Sequence, residues 1–193
     1  MSSKAFKKQF VALAAPSGGG KSTLCGMLLK RYPELTLSIS YTTRPPRGSE
    51  RNGVEYNFVS KEEFEQLIAT GQLVEWAEVH GNYYGTNKTF LERQCAAGKV
   101  VVLDIDVQGV DSLRAAFGQR CLSVFILPPD MVVLEQRLRQ RSTDAEEKIL
   151  WRLAHAKVEM QRAMDFDYQV INDELGASFQ RLCGILETEV GLA

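Results

Sequence analysis

Apolar residues in this chain gather into short uninterrupted runs, separated by longer stretches where they recur every three or four positions. Phe10–Ala14, Lys99–Ile105 and Cys121–Leu127 are runs of the first kind, and Tyr168–Asn172 is a shorter fourth. Runs of this length, rich in β-branched residues, predict strands buried on both faces. Stretches of the second kind predict helices over Gly20–Tyr32, from Asp130 to about Arg141, from Asp144 to about Met164, and over Leu175–Glu189. Some starts are written in the sequence. Ser60 with Glu63 forms a capping box, followed by Phe64, Leu67 and Ile68 at helical spacing. Asp130 follows two prolines, and Asp144 with Glu147 resembles another cap. Strands alternating with helices predict the α/β class, with a parallel sheet flanked by helices.

Two regions break the alternation. Residues 39–89 are rich in Thr, Tyr, Asn and Gly and predict short strands around the one helix after Ser60. Residues 130–157 are rich in Arg. The expected division is a core of about 1–38, 90–129 and 158–193, a nucleotide-binding lobe at about 39–89, and a helical lid at about 130–157. No internal repeat or low-complexity segment appears.

Bulk properties narrow the function only by exclusion. The 193 residues, 45% hydrophobic and 24% charged, suit one domain. A formal net charge of -1 gives no bulk pull toward nucleic acid or a membrane surface. Cys25, Cys95, Cys121 and Cys183 lack metal-ligand spacing, and read as free thiols in a reducing cytosol. The apolar stretch 10–15 is too short for a signal peptide core or a membrane span, so the expected location is cytoplasmic. Asn87-Lys88-Thr89 matches a glycosylation sequon, which is a chance match in that location.

The first chemical signal follows the first strand. Residues 15–23 fit a Walker A phosphate loop, with Ala15 where the first Gly is expected. Ser17, Gly18, Gly19 and Gly20 would let backbone N–H groups cradle phosphate oxygens, ahead of a helix whose positive end faces the same anion. Lys21 would supply charge to the β- and γ-phosphates, and Ser22, followed by Thr23, a hydroxyl to Mg²⁺. Asp104 ends the run Val100–Leu103, a position from which a carboxylate can orient Mg²⁺ and its waters. Asp106, two residues on, shares its face if the strand continues.

With these motifs the chain resembles the guanylate kinase family, a group of P-loop nucleoside monophosphate kinases. The resemblance runs from about Phe10 to near the C-terminus. It rests on residues 40–47 and 52–58, on residues 75–86, on Leu103–Gly109, and on the spacing of Arg137, Arg141 and Arg152. It implies a P-loop core with a GMP-binding lobe and a closing lid, and a reaction that converts ATP and GMP to ADP and GDP with Mg²⁺. It implies that Arg44, Arg47, Tyr56 and Tyr84 hold the GMP phosphate, to which guanidinium forks and phenol hydroxyls are suited. It implies that Ser40, Glu75 and Thr86 read the base. A carboxylate can accept from guanine N1–H and N2–H together while a hydroxyl donates to O6. The resemblance implies that Asp104 also binds GMP. The arginines at 137, 141 and 152 would meet the transferring phosphoryl group only once both substrates are bound, and otherwise stand clear of the phosphate loop. Asn172 matches a position near the ATP adenine. Besides Ala15, Tyr41 and Ser142 depart from the usual pattern, as does a short C-terminus. Use of dGMP, and association into homo-oligomers, are left open.

Three other readings compete. A phosphopeptide-binding module derived from this family would have lost the phosphate loop, whereas Lys21 and Ser22 remain. A kinase for an adenine nucleotide fits poorly with a carboxylate at 75. A GTPase would carry Asn-Lys-x-Asp, and Asn87-Lys88-Thr89-Phe90 lacks the Asp.

Overall fold

The computed structural model describes residues 6–79, 81–140 and 145–193. From the amino end the chain runs through β1 (Phe10–Ala14), α1 (Lys21–Arg31) and β2 (Leu35–Leu37). Next come β3 (Tyr41–Thr42), β4 (Asn57–Phe58), α2 (Lys61–Ala69), β5 (Leu73–Val79) and β6 (Asn82–Asn87). Then follow α3 (Lys88–Ala96), β7 (Val100–Asp104), α4 (Val107–Phe117) and β8 (Cys121–Leu127). The last four are α5 (Met131–Gln140), α6 (Glu146–Gln161), β9 (Tyr168–Ile171) and α7 (Leu175–Glu189).

The four apolar runs become β1, β7, β8 and β9, joined by β2 in a five-stranded sheet ordered β2-β7-β1-β8-β9. Every pairing in it is parallel. Both faces are covered, which is why the runs do not alternate with polar residues. Val11 and Leu13 turn to one face, in a core with Leu28 of α1 and Leu186 of α7. Phe10 and Ala12 turn to the other, with Leu113 and Phe117 of α4. Each fully buried Val, Leu or Phe among these contributes roughly 1.5–3 kcal/mol. The sheet is thus a firm base for the turn that leaves β1. Because β1 is central, that turn emerges beside the carboxyl end of β7, where Leu13 lies opposite Asp104. Crevices at such carboxyl ends are where open α/β sheets bind ligands.

The interrupting region forms a second sheet, ordered β4-β3-β6-β5. The capping box at Ser60 is present, and Phe64 of α2 is fully buried and stacks on Tyr83 with centroids 5.3 Å apart. Asp130 caps α5, its Oδ1 accepting from Val133 N–H at 2.8 Å. Asp144 lies outside the described residues. The long helix expected to reach Met164 stops at Gln161, and a 3-10 turn takes Ala163–Asp165. Arg162 Nε donates to Asp165 Oδ2 across that turn at 2.6 Å.

The sequence reading did not resolve α3 or α4, and each has its own cap. Asn87 Oδ1 accepts from Phe90 N–H at 2.9 Å, which gives the sequon asparagine a structural role. Asp106 Oδ1 accepts from Gly109 N–H at 2.7 Å. All four cysteines are free. Burial raises the Cys25 thiol to about 11, so it is inert at neutral pH. No described helix is long and apolar enough to cross a membrane.

Candidate active site

The turn after β1 is tight. Gly19 N–H donates to Pro16 O at 2.8 Å, and Gly18 and Gly20 adopt φ of +91° and +93°, where an L side chain is strained. α1 starts at once, with no side-chain cap at Gly20. Its first N–H groups therefore point at the turn and can receive an anion. Ala15 fits because its neighbour across the turn is bare. Its methyl packs on the core, and a Cβ at Gly19 would lie 3.0 Å from it.

Lys21 and Ser22 converge on the end of β7. Lys21 Nζ lies 2.5 Å from Asp104 Oδ1 and donates to Ile105 O at 3.1 Å. Ser22 Oγ donates to Asp104 Oδ2 at 3.4 Å. Asp106 does not share the Asp104 face as a strand residue. β7 ends at Asp104 and the chain turns into α4, which Asp106 caps.

A cavity of about 480 Å³ separates this turn from the second sheet. Ser17, Gly18, Gly19, Gly20, Lys21, Ser22 and Thr23 line one wall, and Ser40, Tyr56, Glu75 and Tyr84 line the other. Asp104, Asp106 and Glu159 complete it. Glu75 faces Thr86 across the β5–β6 pair, and Thr86 Oγ1 donates to Glu75 Oε1 at 2.5 Å. Gly109 of α4 makes room for the other oxygen, since a Cβ there would sit 3.2 Å from Glu75 Oε2. Burial pushes the Glu75 carboxyl up to about 7. The Thr86 hydrogen bond opposes that rise, and the Asp106 charge adds to it.

Of the four phosphate-binding candidates of the lobe, Tyr56 and Tyr84 line the cavity and Arg44 and Arg47 do not. Tyr56 and Tyr84 meet edge-on with centroids 5.9 Å apart, and the Arg44 guanidinium lies 5.3 Å from the Tyr56 centroid. Arg44 is 6% exposed and forks onto Glu50, Nη2 to Oε1 and Nη1 to Oε2, each at 3.0 Å. That guanidinium, with the Arg47 backbone N–H donating at 2.8 Å, holds the Glu50 carboxyl below the usual carboxylate range. The Arg47 side chain is exposed.

On the far side of the loop, α5 rests directly on Gly18. A Cβ there would lie 3.0 Å from Leu134 Cδ1 and 3.2 Å from Leu138 Cδ2, and both leucines are buried. Arg137 therefore stands beside the phosphate loop, against the expectation that it would be held clear. Its Nη2 donates to Asn172 O at 2.9 Å, while Nη1 is buried without a hydrogen-bond partner among the described residues. Arg137 and Asn172 share a shallow groove with Gly18, Gly20 and Thr23, and neither lines the main cavity. Arg152 is half-buried on α6 and lines neither hollow. Arg141 and Ser142 lie outside the described residues.

The protein-family model described as guanylate kinase matches residues 7–189. The chain belongs to the guanylate kinase family. A guanylate kinase of Dechloromonas aromatica is 50% identical over 174 residues, 90% of this chain and 86% of that one. One of Synechocystis is 48% identical over 183 residues, 95% of each. The crystal structure of guanylate kinase from Anaplasma phagocytophilum superposes with a TM-score of 0.78 at 31% identity, covering 98% of this chain and 89% of that one. The protein is accordingly a nucleoside monophosphate kinase on a P-loop fold.

Within that family framework, two carboxylates of this site had escaped the sequence reading. Glu159 lies seven residues after Arg152, two helical turns along the same face, and that spacing was a usable signal. Burial raises its carboxyl, with the Lys21 charge opposing and the Asp106 charge assisting. Glu50 had no comparable signal, since its role depends on a turn that folds it back onto Arg44. Glu50→Ala would leave the Arg44 guanidinium without its counter-charge, and stability is expected to fall. Urea unfolding should show that loss, and saturating GMP should restore more stability to the variant than to the native protein. Equal stabilisation by GMP in both would mean that Arg44 does not meet the ligand phosphate.

Proposed function

We propose that the two walls of the cavity divide the labour of moving the terminal phosphoryl group of ATP onto GMP. The observation that carries this reading is their meeting in one cavity. A glycine-rich anion cradle with Lys21 faces the Glu75 carboxylate, which the buried Thr86 hydroxyl holds from behind and which suits guanine. ATP phosphates lie along the turn, on the N–H groups that open α1, with Lys21 on the β- and γ-phosphates. Glu75 accepts from guanine N1–H and N2–H, and Ser40 donates to O6. Thr86, expected to read the base directly, instead spends its one hydroxyl hydrogen on Glu75 Oε1 and orients that carboxylate. Tyr56, Tyr84, Arg44 and Arg47 take the GMP phosphate, and Asp104 sits where the two nucleotides meet.

No side chain needs to act as general base, because the attacking phosphate oxygen is already an anion. The task of the residues is to align two anions and screen their repulsion. Ser22 and Asp104 offer a hydroxyl and a carboxylate side by side, hard oxygen donors that fit Mg²⁺. When bound there, Mg²⁺ would neutralise phosphate charge. Arg152 adds positive charge from the lid segment, as does Arg141 by the family resemblance, whereas Arg137 approaches from the groove side. The four free thiols fit a reducing compartment, and the reading places the protein in the cytoplasm, in purine nucleotide metabolism.

The test offers GMP, AMP, CMP and UMP separately with Mg²⁺-ATP. ADP should appear in step with GDP for GMP and hardly at all for the others. Chelation of Mg²⁺ should stop it. Equal turnover of AMP would overturn the division of labour.

A further inference from the structure

Asn172 follows β9 and is 5% exposed. Three of its polar groups are engaged, each on a different element. Its backbone N–H donates to Leu127 O at 2.7 Å, and its carbonyl accepts from Arg137 Nη2 at 2.9 Å. Its side-chain Nδ2 donates to Gly19 O at 2.9 Å, joining residues 153 apart in sequence. The fit is close, since a Cβ at Gly20 would lie 2.1 Å from Nδ2. A planar trans peptide points its carbonyl and the next N–H in opposite directions. Holding Gly19 O toward Asn172 therefore turns Gly20 N–H away, toward the cavity that Asn172 does not line. Gly19 N–H is already engaged by Pro16 O, so Gly20 carries the next donor of the turn.

We infer that Asn172 is a positioning residue for the phosphate loop: its amide sets the Gly19–Gly20 peptide so that Gly20 N–H meets the phosphates of ATP, and Arg137 of α5 steadies Asn172 in turn. The amide group works on the loop rather than on a base. The inference rests on the assignment of this loop to ATP.

The experiment measures ADP and GMP binding by titration calorimetry, with thermal melts, on Asn172→Ala, Asn172→Asp, Gly20→Ala and the double variant Gly20→Ala/Asn172→Ala. Asn172→Ala should weaken ADP about tenfold, the scale of one well-placed hydrogen bond, and change GMP less than about twofold. Asn172→Asp keeps the size of the side chain, so it reads the amide even where the truncated variant melts early. It should weaken ADP at least as much, because an oxygen then faces Gly19 O. Gly20→Ala should cost ADP affinity heavily in the native background, and at least about fivefold less once Asn172 is Ala, because the atom it strikes is gone. Backbone strain at φ +93° is present in both backgrounds and cancels. Native ADP affinity in both Asn172 variants, even with lowered melting, would overturn the inference and leave Asn172 a packing residue. Strictly multiplicative penalties for Gly20 and Asn172 would overturn it as well. A native protein that binds no ADP would instead overturn the assignment of the loop itself.

Discussion

Replacing Lys21 with Met is expected to lower kcat by roughly 10²–10³-fold, the cost of removing one preorganised electrostatic stabiliser. The substitution keeps the length and most of the volume of the stem and removes the ammonium, both its charge and its N–H donors. The ammonium is 18% exposed and held between Asp104 and Ile105 O, at the point where the turn after β1 meets the end of β7. It is thus fixed before phosphates arrive, and little reorganisation is needed when charge shifts onto the transferring group. On the proposed assignment GMP would touch the opposite wall of the cavity, so its dissociation constant should change less than about twofold. A purely structural Lys21–Asp104 ion pair would give the opposite pattern. Melting would fall because Asp104 loses its partner, and kcat of the folded fraction would stay near native. Steady-state kinetics with ATP and GMP varied separately, alongside GMP titration calorimetry, distinguish the two.

The loop that carries this cation was legible in the sequence because it is one local segment, although the groups that hold the ammonium, Asp104 and Ile105 O, come from the distant end of β7. β1, the glycines, Lys21 and Ser22 are one continuous segment, and the parallel strands around them are buried on both faces, so their apolar runs are unbroken. The other wall was readable only by resemblance. β3 and β4 have two residues each and make no run. Glu75 meets Thr86 through the register of β5 with β6, which shifts between Leu73 and Glu75. No periodicity announces such a shift. Apart from Asp104 beside Lys21 and Ser22, contacts across the fold were not legible. The bond from Asn172 to Gly19 depends on β9 lying at the far edge of the sheet from β2. The seat of α5 on Gly18 depends on the absence of one methyl group. This last contact seats the first helix of the Arg-rich region on the phosphate loop.

Glu75 carries the second large effect, and it depends on pH. Glu75→Ala should reduce kcat/KM for GMP by roughly 10³–10⁴-fold, the discrimination reached by sites built on paired buried polar groups. ATP affinity should hardly move. Glu75→Gln should fall between, since an amide accepts only one of the two bonds well. Only the ionised carboxyl can accept from both N1–H and N2–H, yet burial sets its pKa at about 7 in the protein. Below that pH the proton must leave before guanine binds, so GMP affinity should fall about tenfold per pH unit from 7 downward. The GMP phosphate titrates near pH 6 and adds its own slope. Glu75→Gln isolates it, because the Gln variant retains only the phosphate contribution. Base choice should narrow on the same side, because a protonated carboxyl can donate to adenine N1, where the carboxylate meets a lone pair. The stability of the ligand-free protein should run the other way from binding. A folded pKa raised above the ordinary 4.5 means that the folded state holds the proton more tightly than the unfolded chain. The stabilisation is therefore complete below pH 4.5 and is lost as pH rises through 7. At pH 8 Glu75→Gln should be the more stable protein by roughly 2–3 kcal/mol, with the gap closing toward pH 4. The decisive measurement is kcat/KM for GMP and AMP from pH 5.5 to 8.5 in the native protein and both variants, with urea unfolding at each end. A native GMP profile that matches that of Glu75→Gln across this range would remove Glu75 as the reader of guanine.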